Sequence, residues 1–159
     1  YFGEFGVRGV GYDVIDLQTQ IKKILSLNRD WHFGIAGMGN MGCAIFLHRN
    51  LALRGFKCVA AFDNSQARIG MPLPGGMGIQ NIGELKRTIR DRNIEIGVIT
   101  TPPSAAQEVA DLFMEGHVNA ILNFAPTRIK APDCCLVENM DFTVIMDVLA
   151  YNLHQKMAA

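Results

Sequence analysis

Long apolar runs are missing from this chain: none reaches the roughly 20 residues a membrane-spanning helix needs. Charge is scarce as well. Charged residues make up 19%, fifteen of each sign, and the formal net charge is zero. A nucleic-acid-binding face is normally basic, so these residues are not expected to grip DNA or RNA themselves. The four cysteines, Cys43, Cys58, Cys134 and Cys135, have neither metal-ligand spacing nor the pattern of a disulfide scaffold. Cys43 and Cys58 read as buried, and the adjacent pair Cys134-Cys135 reads as the start of a strand. No secretory signal is visible, and the expectation is a reducing cytoplasm. His32, His48, His117 and His154 are scattered, with no Lys or Tyr at catalytic spacing. Neither an acid–base apparatus nor a metal centre is expected, and the chain does not read as an enzyme.

What is plentiful is apolar surface, 49% of residues, together with 16 glycines in 159 positions. The length suits one domain or slightly more. At this size about two-thirds of the unfolded surface is buried. The composition suits an α/β, doubly wound, mostly parallel sheet covered on both faces.

The central stretch is His32-Phe33-Gly34-Ile35-Ala36-Gly37-Met38-Gly39-Asn40-Met41-Gly42. A strand-like run enters G-x-G-x-x-G and a helix-forming run leaves it. In that context Gly37 makes the tight turn, Gly39 lets a pyrophosphate approach the backbone, and Gly42 lets the helix pack on the strand. The helix is expected to continue to a stop at Gly55. Lys57–Phe62 then reads as a second buried strand, closed by Asp63. An acid at that distance is placed for the two ribose hydroxyls of adenosine, and it would repel a 2′-phosphate. The reading is NAD or NADH. The plain alternative is an ordinary strand-to-helix turn with a solvated Asp63.

The remaining elements follow in order. Asp13 reads as the cap of a helix with Val14, Leu17, Ile21, Ile24 and Leu25 as its apolar stripe. Trp31 reads as a packing residue. Arg68, in a polar loop, either touches adenosine or is solvated. Residues 71–78 form a turn-rich connection. Asn81 caps a helix carrying Ile82, Leu85 and Ile89. Ile94–Thr100 is a central strand, followed by a helix over 104–115 with Ser104 and Gln107 as its capping box. Ala120–Leu122 is the next strand. In an open parallel sheet, ligands sit outside the C-terminal strand ends. Thr100, Thr101 and Pro102, with Asn123, Phe124, Ala125 and Pro126, lie at two such ends and form a candidate nicotinamide pocket.

Several words now combine: Tyr1–Gly6 with Arg8–Tyr12, Gly37–Gly42, Ala60–Asp63, Ala105–Asp111 and Ile121–Pro126, in this order along nearly the whole chain. On these the chain resembles the Rex family of bacterial redox-sensing transcriptional repressors. The resemblance implies a Rossmann-like NAD(H)-binding domain over 13–140. Residues 1–12 would be a linker from a winged-helix domain that precedes Tyr1, and 141–159 a C-terminal dimerisation helix exchanged between subunits. Operator DNA would be read only through that N-terminal domain. NADH would release the DNA and NAD+ compete weakly. Gly37, Gly39, Asn40, Met41 and Gly42 would hold the pyrophosphate, Asp63 the ribose, and Thr100–Pro102 with Asn123–Pro126 the nicotinamide side. Asp141 and Phe142 match an acidic–apolar pair that senses the nicotinamide from the partner subunit. His48 stands where many members carry a tyrosine that engages the acidic residue; it either pairs with Asp141, with a pH dependence near neutrality, or is an exposed helix residue. Periodicity leaves open whether Ile145, Val148, Leu149 and Leu153 pack within the chain or on a partner. Two rivals are an NAD-dependent dehydrogenase fragment and a CoA-binding domain of the succinyl-CoA ligase type.

Overall fold

The computed structural model describes residues 29–158 together with 14, 15, 17, 18 and 21. Val14, Ile15, Leu17, Gln18 and Ile21 are helical, as the apolar stripe predicts; Asp13, Ile24, Leu25 and the linker over 1–12 lie outside the described residues.

Six strands form one sheet in the order β3-β2-β1-β4-β5-β6, every neighbouring pair parallel. They are β1 (Trp31–Ala36), β2 (Phe56–Asp63), β3 (Gln80–Asn81), β4 (Ile96–Ile99), β5 (Ala120–Asn123) and β6 (Leu136–Asn139). The helices are α1 (Asn40–Phe46), α2 (Arg49–Leu53), α3 (Leu85–Arg92), α4 (Pro103–Glu115) and α5 (Phe142–Ala158). Parallel strands need long crossovers; those after β1, β3 and β4 are helical and cover both faces, while residues 64–79 and 124–135 cross without a helix. One face packs Ile99, Phe62 and Ile121 against Leu85, Ile89, Val109 and Phe113. The other packs Phe33, Ile35 and Val98 against Met38, with Phe46 and Leu51 beside them. Chain order reverses between β1 and β4, which opens a crevice at their C-terminal ends.

Three expectations are corrected. The single helix to Gly55 is two helices, broken at Leu47-His48, where His48 is extended (φ −75°, ψ 95°) and opens α2. Phe46 and Leu51, five residues apart, would point to different sides of one helix. The break lets both pack on the same cluster. Gly55 does stop α2, in the left-handed region (φ +86°). The capping box does not form. Pro103 is the first residue of α4, Pro102 precedes it, and no side-chain cap bond is made. Proline suits a first helical turn because its missing N–H has no partner to lose there. Gln107 instead bonds the Lys130 backbone in both directions, at 2.9 and 3.0 Å, and Asp111 at 2.9 Å. Cys43 and Cys58 are half-buried rather than buried; burial still pushes the Cys58 thiol up to about 12.

Asn81 does cap, accepting from the Gly83 N–H at 2.8 Å. Cys135 precedes β6 as expected. The C-terminal helix forms, but its described apolar side chains, Ile145, Val148, Leu149 and Leu153 included, are all exposed in the single chain.

Candidate functional site

The glycine turn joins β1 to α1. Gly37 sits at φ +98°, and a Cβ there would lie 2.8 Å from the Thr100 carbonyl. Gly42 is buried, and a Cβ on it would lie 2.1 Å from the Gly37 oxygen. Turn and helix can therefore be this close only with glycine at both positions. A Cβ on Gly39 would meet nothing within 4 Å. It would extend into open space beside the cleft that Gly39 lines. Gly37 and Gly42 thus have the turn and packing roles their spacing predicts, and the space beside Gly39 is open. The Thr100 hydroxyl fixes the turn from the neighbouring strand, donating to the Gly37 carbonyl at 2.6 Å, with the Ala36 carbonyl at 3.1 Å.

Asp63 closes β2 and is only 5% exposed. One carboxylate oxygen accepts from the Met38 N–H at 2.8 Å, inside the glycine turn; the other accepts from the Ser65 N–H at 2.8 Å. Arg68 lies 3.4 Å away with its side chain half-exposed. It is neither simply solvated nor free, because it partners the acid in the crevice. A carboxylate has about four lone-pair sites, so Asp63 keeps acceptor capacity beyond these contacts.

The cleft above the sheet edge has a volume of 470 Å³. Gly37, Gly39, Asp63, Thr100, Thr101, Pro102 and Pro126 line it. The Thr101 hydroxyl is buried and, among the described residues, lacks a hydrogen-bond partner. Buried hydroxyls without partners are uncommon, and this one belongs to a cleft-lining residue. The remaining expected residues lie elsewhere. Asn40 and Met41 open α1 outside the lining, with Met41 40% exposed. Asn123 is 0% exposed, its amide bonded to Ala125, Thr127 and Asn139. Phe124 is half-buried with its ring 6.3 Å from that of Phe142. Ala125 lines a second cavity of 870 Å³, with Asp141 and the first turn of α5. His48 and Asp141 are exposed, and no ion pair joins them among the described residues. Asp141 instead holds the first turn of α5. It accepts from the Thr143 N–H at 2.9 Å and hydroxyl at 2.6 Å, which lowers its pKa.

The sequence reading missed one wall. Ala105, Glu108, Val109 and Leu112 of α4 line the cleft with Ile82. Their spacing places them along one helix face, and α4 starts at the crevice. That combination was the available signal.

A parallel sheet with a glycine turn at its point of reversal and an acid ending the adjacent strand defines a Rossmann-like nucleotide-binding domain. A family model described as a CoA binding domain matches residues 28–127. A redox-sensing transcriptional repressor Rex from Syntrophobacter fumaroxidans is 50% identical over 96% of this chain and 73% of its own length. One from Desulforamulus reducens is 41% identical over 98% and 74%. Among solved structures, the Rex-family repressor RSP in complex with β-NAD+ and operator DNA matches with a TM-score of 0.90, 29% identity, and coverage of 99% of this chain and 72% of that one. RSP in complex with β-NADH matches with a TM-score of 0.84 and 28% identity, covering 93% and 71%. The chain belongs to the Rex family of redox-sensing transcriptional repressors.

Proposed function

We propose that this chain is the NAD(H)-sensing part of a dimeric, cytoplasmic transcriptional repressor, with no catalytic activity of its own. The observation that carries the reading is the cleft itself: an open Gly39, a buried acid at the end of β2, and an unpartnered Thr101 hydroxyl on one strip of sheet edge. These donors and acceptors fit a dinucleotide. The turn of Gly37, Gly39, Asn40, Met41 and Gly42 would hold the pyrophosphate, and Asp63 the adenosine ribose. The apolar wall of Val109, Leu112 and Ile82 suits adenine. Thr100, Thr101 and Pro102, with the Asn123–Pro126 turn, would border the nicotinamide.

NADH works by preferring one dimer arrangement over another, since a ligand shifts an equilibrium only through differential affinity. The neutral dihydronicotinamide enters an apolar pocket at lower desolvation cost than the cationic NAD+ ring. Asp141 would favour the cation. Its bonds to Thr143 tie that carboxylate to the helix start. His48, Asp141 and Phe142 would meet the partner subunit. The exposed face of Ile145, Val148, Leu149 and Leu153 is the expected dimer contact. Operator DNA would be read by a domain preceding Tyr1.

Paired calorimetric titrations with NADH and NAD+, repeated on Asp63→Ala, test the reading. Much tighter binding of NADH, weakened in the variant, is expected. Equal or absent binding of both refutes it, and a CoA titration then tests the rival ligand. The matching family model does not separate the two ligands; the repressor relatives over nearly the whole chain favour NAD(H).

A further inference from the structure

Pro126 belongs to both cavities: it lines the cleft and the larger cavity beside α5. The turn that carries it is fixed by Asn123. Asn123 Oδ1 accepts from the Ala125 N–H at 2.9 Å. Its Nδ2 faces three acceptors: the Thr127 carbonyl at 2.7 Å, Asn139 Oδ1 at 2.9 Å and the Ala125 carbonyl at 3.2 Å. An amide nitrogen has two hydrogens, so three acceptors share two donors. Two of them belong to the turn. The third is the last residue of β6, and two positions later Asp141 fixes the start of α5.

We propose that the Asn123–Asn139 side-chain bond is the positioning link that carries occupancy of the cleft, through the Ala125–Thr127 turn, into the start of α5. The proposal rests on the reading that the cleft takes a dinucleotide. A ligand that shifts Pro126 changes how Asn123 divides its two N–H groups. A tighter turn takes both and frees Asn139; a looser turn returns one. Either arrangement keeps both N–H groups bonded, whereas a buried unpaired N–H between them is costly. The cluster would therefore have two discrete arrangements, the property a coupling element needs. Two parallel connections exist: the Met140 N–H to Asn123 carbonyl bond at 2.8 Å and the Phe124–Phe142 ring contact.

Hydrogen exchange of the chain with and without NADH, on the unsubstituted protein, Asn139→Ala and Asn139→Asp, tests this. Asn139 is exposed, and Asn123 keeps both turn acceptors in Asn139→Ala. NADH affinity is expected to stay within about twofold, as for a surface change. The NADH-dependent change at 124–127 should persist, while that at 140–146 falls about fivefold, the worth of one ordinary hydrogen bond. Asn139→Asp keeps the acceptor and should keep the response. Asn139→Val, a better strand former, gives the same test should the alanine variant not fold. An undiminished response at 140–146 without the acceptor overturns the proposal, and so does its loss in Asn139→Asp as well. No NADH-dependent change at 124–127 in the unsubstituted chain overturns the proposal, whereas absent NADH binding in the titration overturns the dinucleotide reading on which it rests.

Discussion

Gly39→Ala separates the architecture of the glycine turn from its use. Gly39 caps α1 at φ −76°, a region open to any residue. An added Cβ would meet nothing within 4 Å. Replacing glycine by alanine at a helix cap costs about 0.5–1 kcal/mol. The reduced freedom of the unfolded chain offsets about 0.4–1 kcal/mol. The net change is expected within about 1 kcal/mol, a melting shift of a few degrees at most. Binding is expected to respond differently: on the proposed reading the methyl group would occupy the space a pyrophosphate needs to reach the turn's amides. Losing one charge-assisted hydrogen bond of about 1.5–3 kcal/mol weakens NADH roughly 10- to 100-fold. Gly42→Ala is the contrasting variant. Its Cβ would lie 2.1 Å from a backbone oxygen, so α1 must leave the turn at a cost of at least about 2 kcal/mol. Thermal melting and calorimetric titration of both variants decide the matter. NADH binding to Gly39→Ala as tight as to the unsubstituted chain would refute the reasoning, as would a melting loss equal to that of Gly42→Ala.

Four other outcomes are expected. Iodoacetamide near pH 8 should modify exposed Cys134 first and buried Cys135 late, with site occupancy read by mass spectrometry. Cys58 should also react slowly, since burial pushes its thiol up to about 12. A raised thiol pKa contributes its stability in full below the ordinary value of 9.0 and loses it as pH rises towards 12; urea melts across that range check the sign. Asp141 has a lowered pKa, so its contribution to the start of α5 is present above the ordinary 3.8 and is lost as pH falls below it. Thr143→Val should raise the Asp141 pKa in an NMR titration; an unmoved value would show that Thr143 is not its cause. Gly97→Ala puts a Cβ 2.8 Å from the Phe113 ring in the centre of the sheet and should cost about 1–3 kcal/mol in a denaturant melt.

Local spacing determined a good part of this protein. The strand, glycine turn and acid at Asp63 were legible because each role belongs to a residue type at a fixed offset: no Cβ at Gly37 and Gly42, a carboxylate closing the next strand. The cap at Asn81 and the parallel sheet were legible for the same reason. The sheet's order decided the rest. Thr100 holds a turn 63 residues away, and Gln107 holds a backbone 23 residues away, where local spacing had suggested a cap. Asn123 could be placed at a strand end, but its partner Asn139 is fixed only by the pairing of β5 with β6. The break at His48 carries no helix-breaking residue; it follows from packing Phe46 and Leu51 on one cluster. The exposed face of α5 shows the same division. Its residues specify a helix over 142–158 whose apolar side chains are exposed among the described residues, because side-chain periodicity sets which residues share a face and only the assembled fold sets what that face meets.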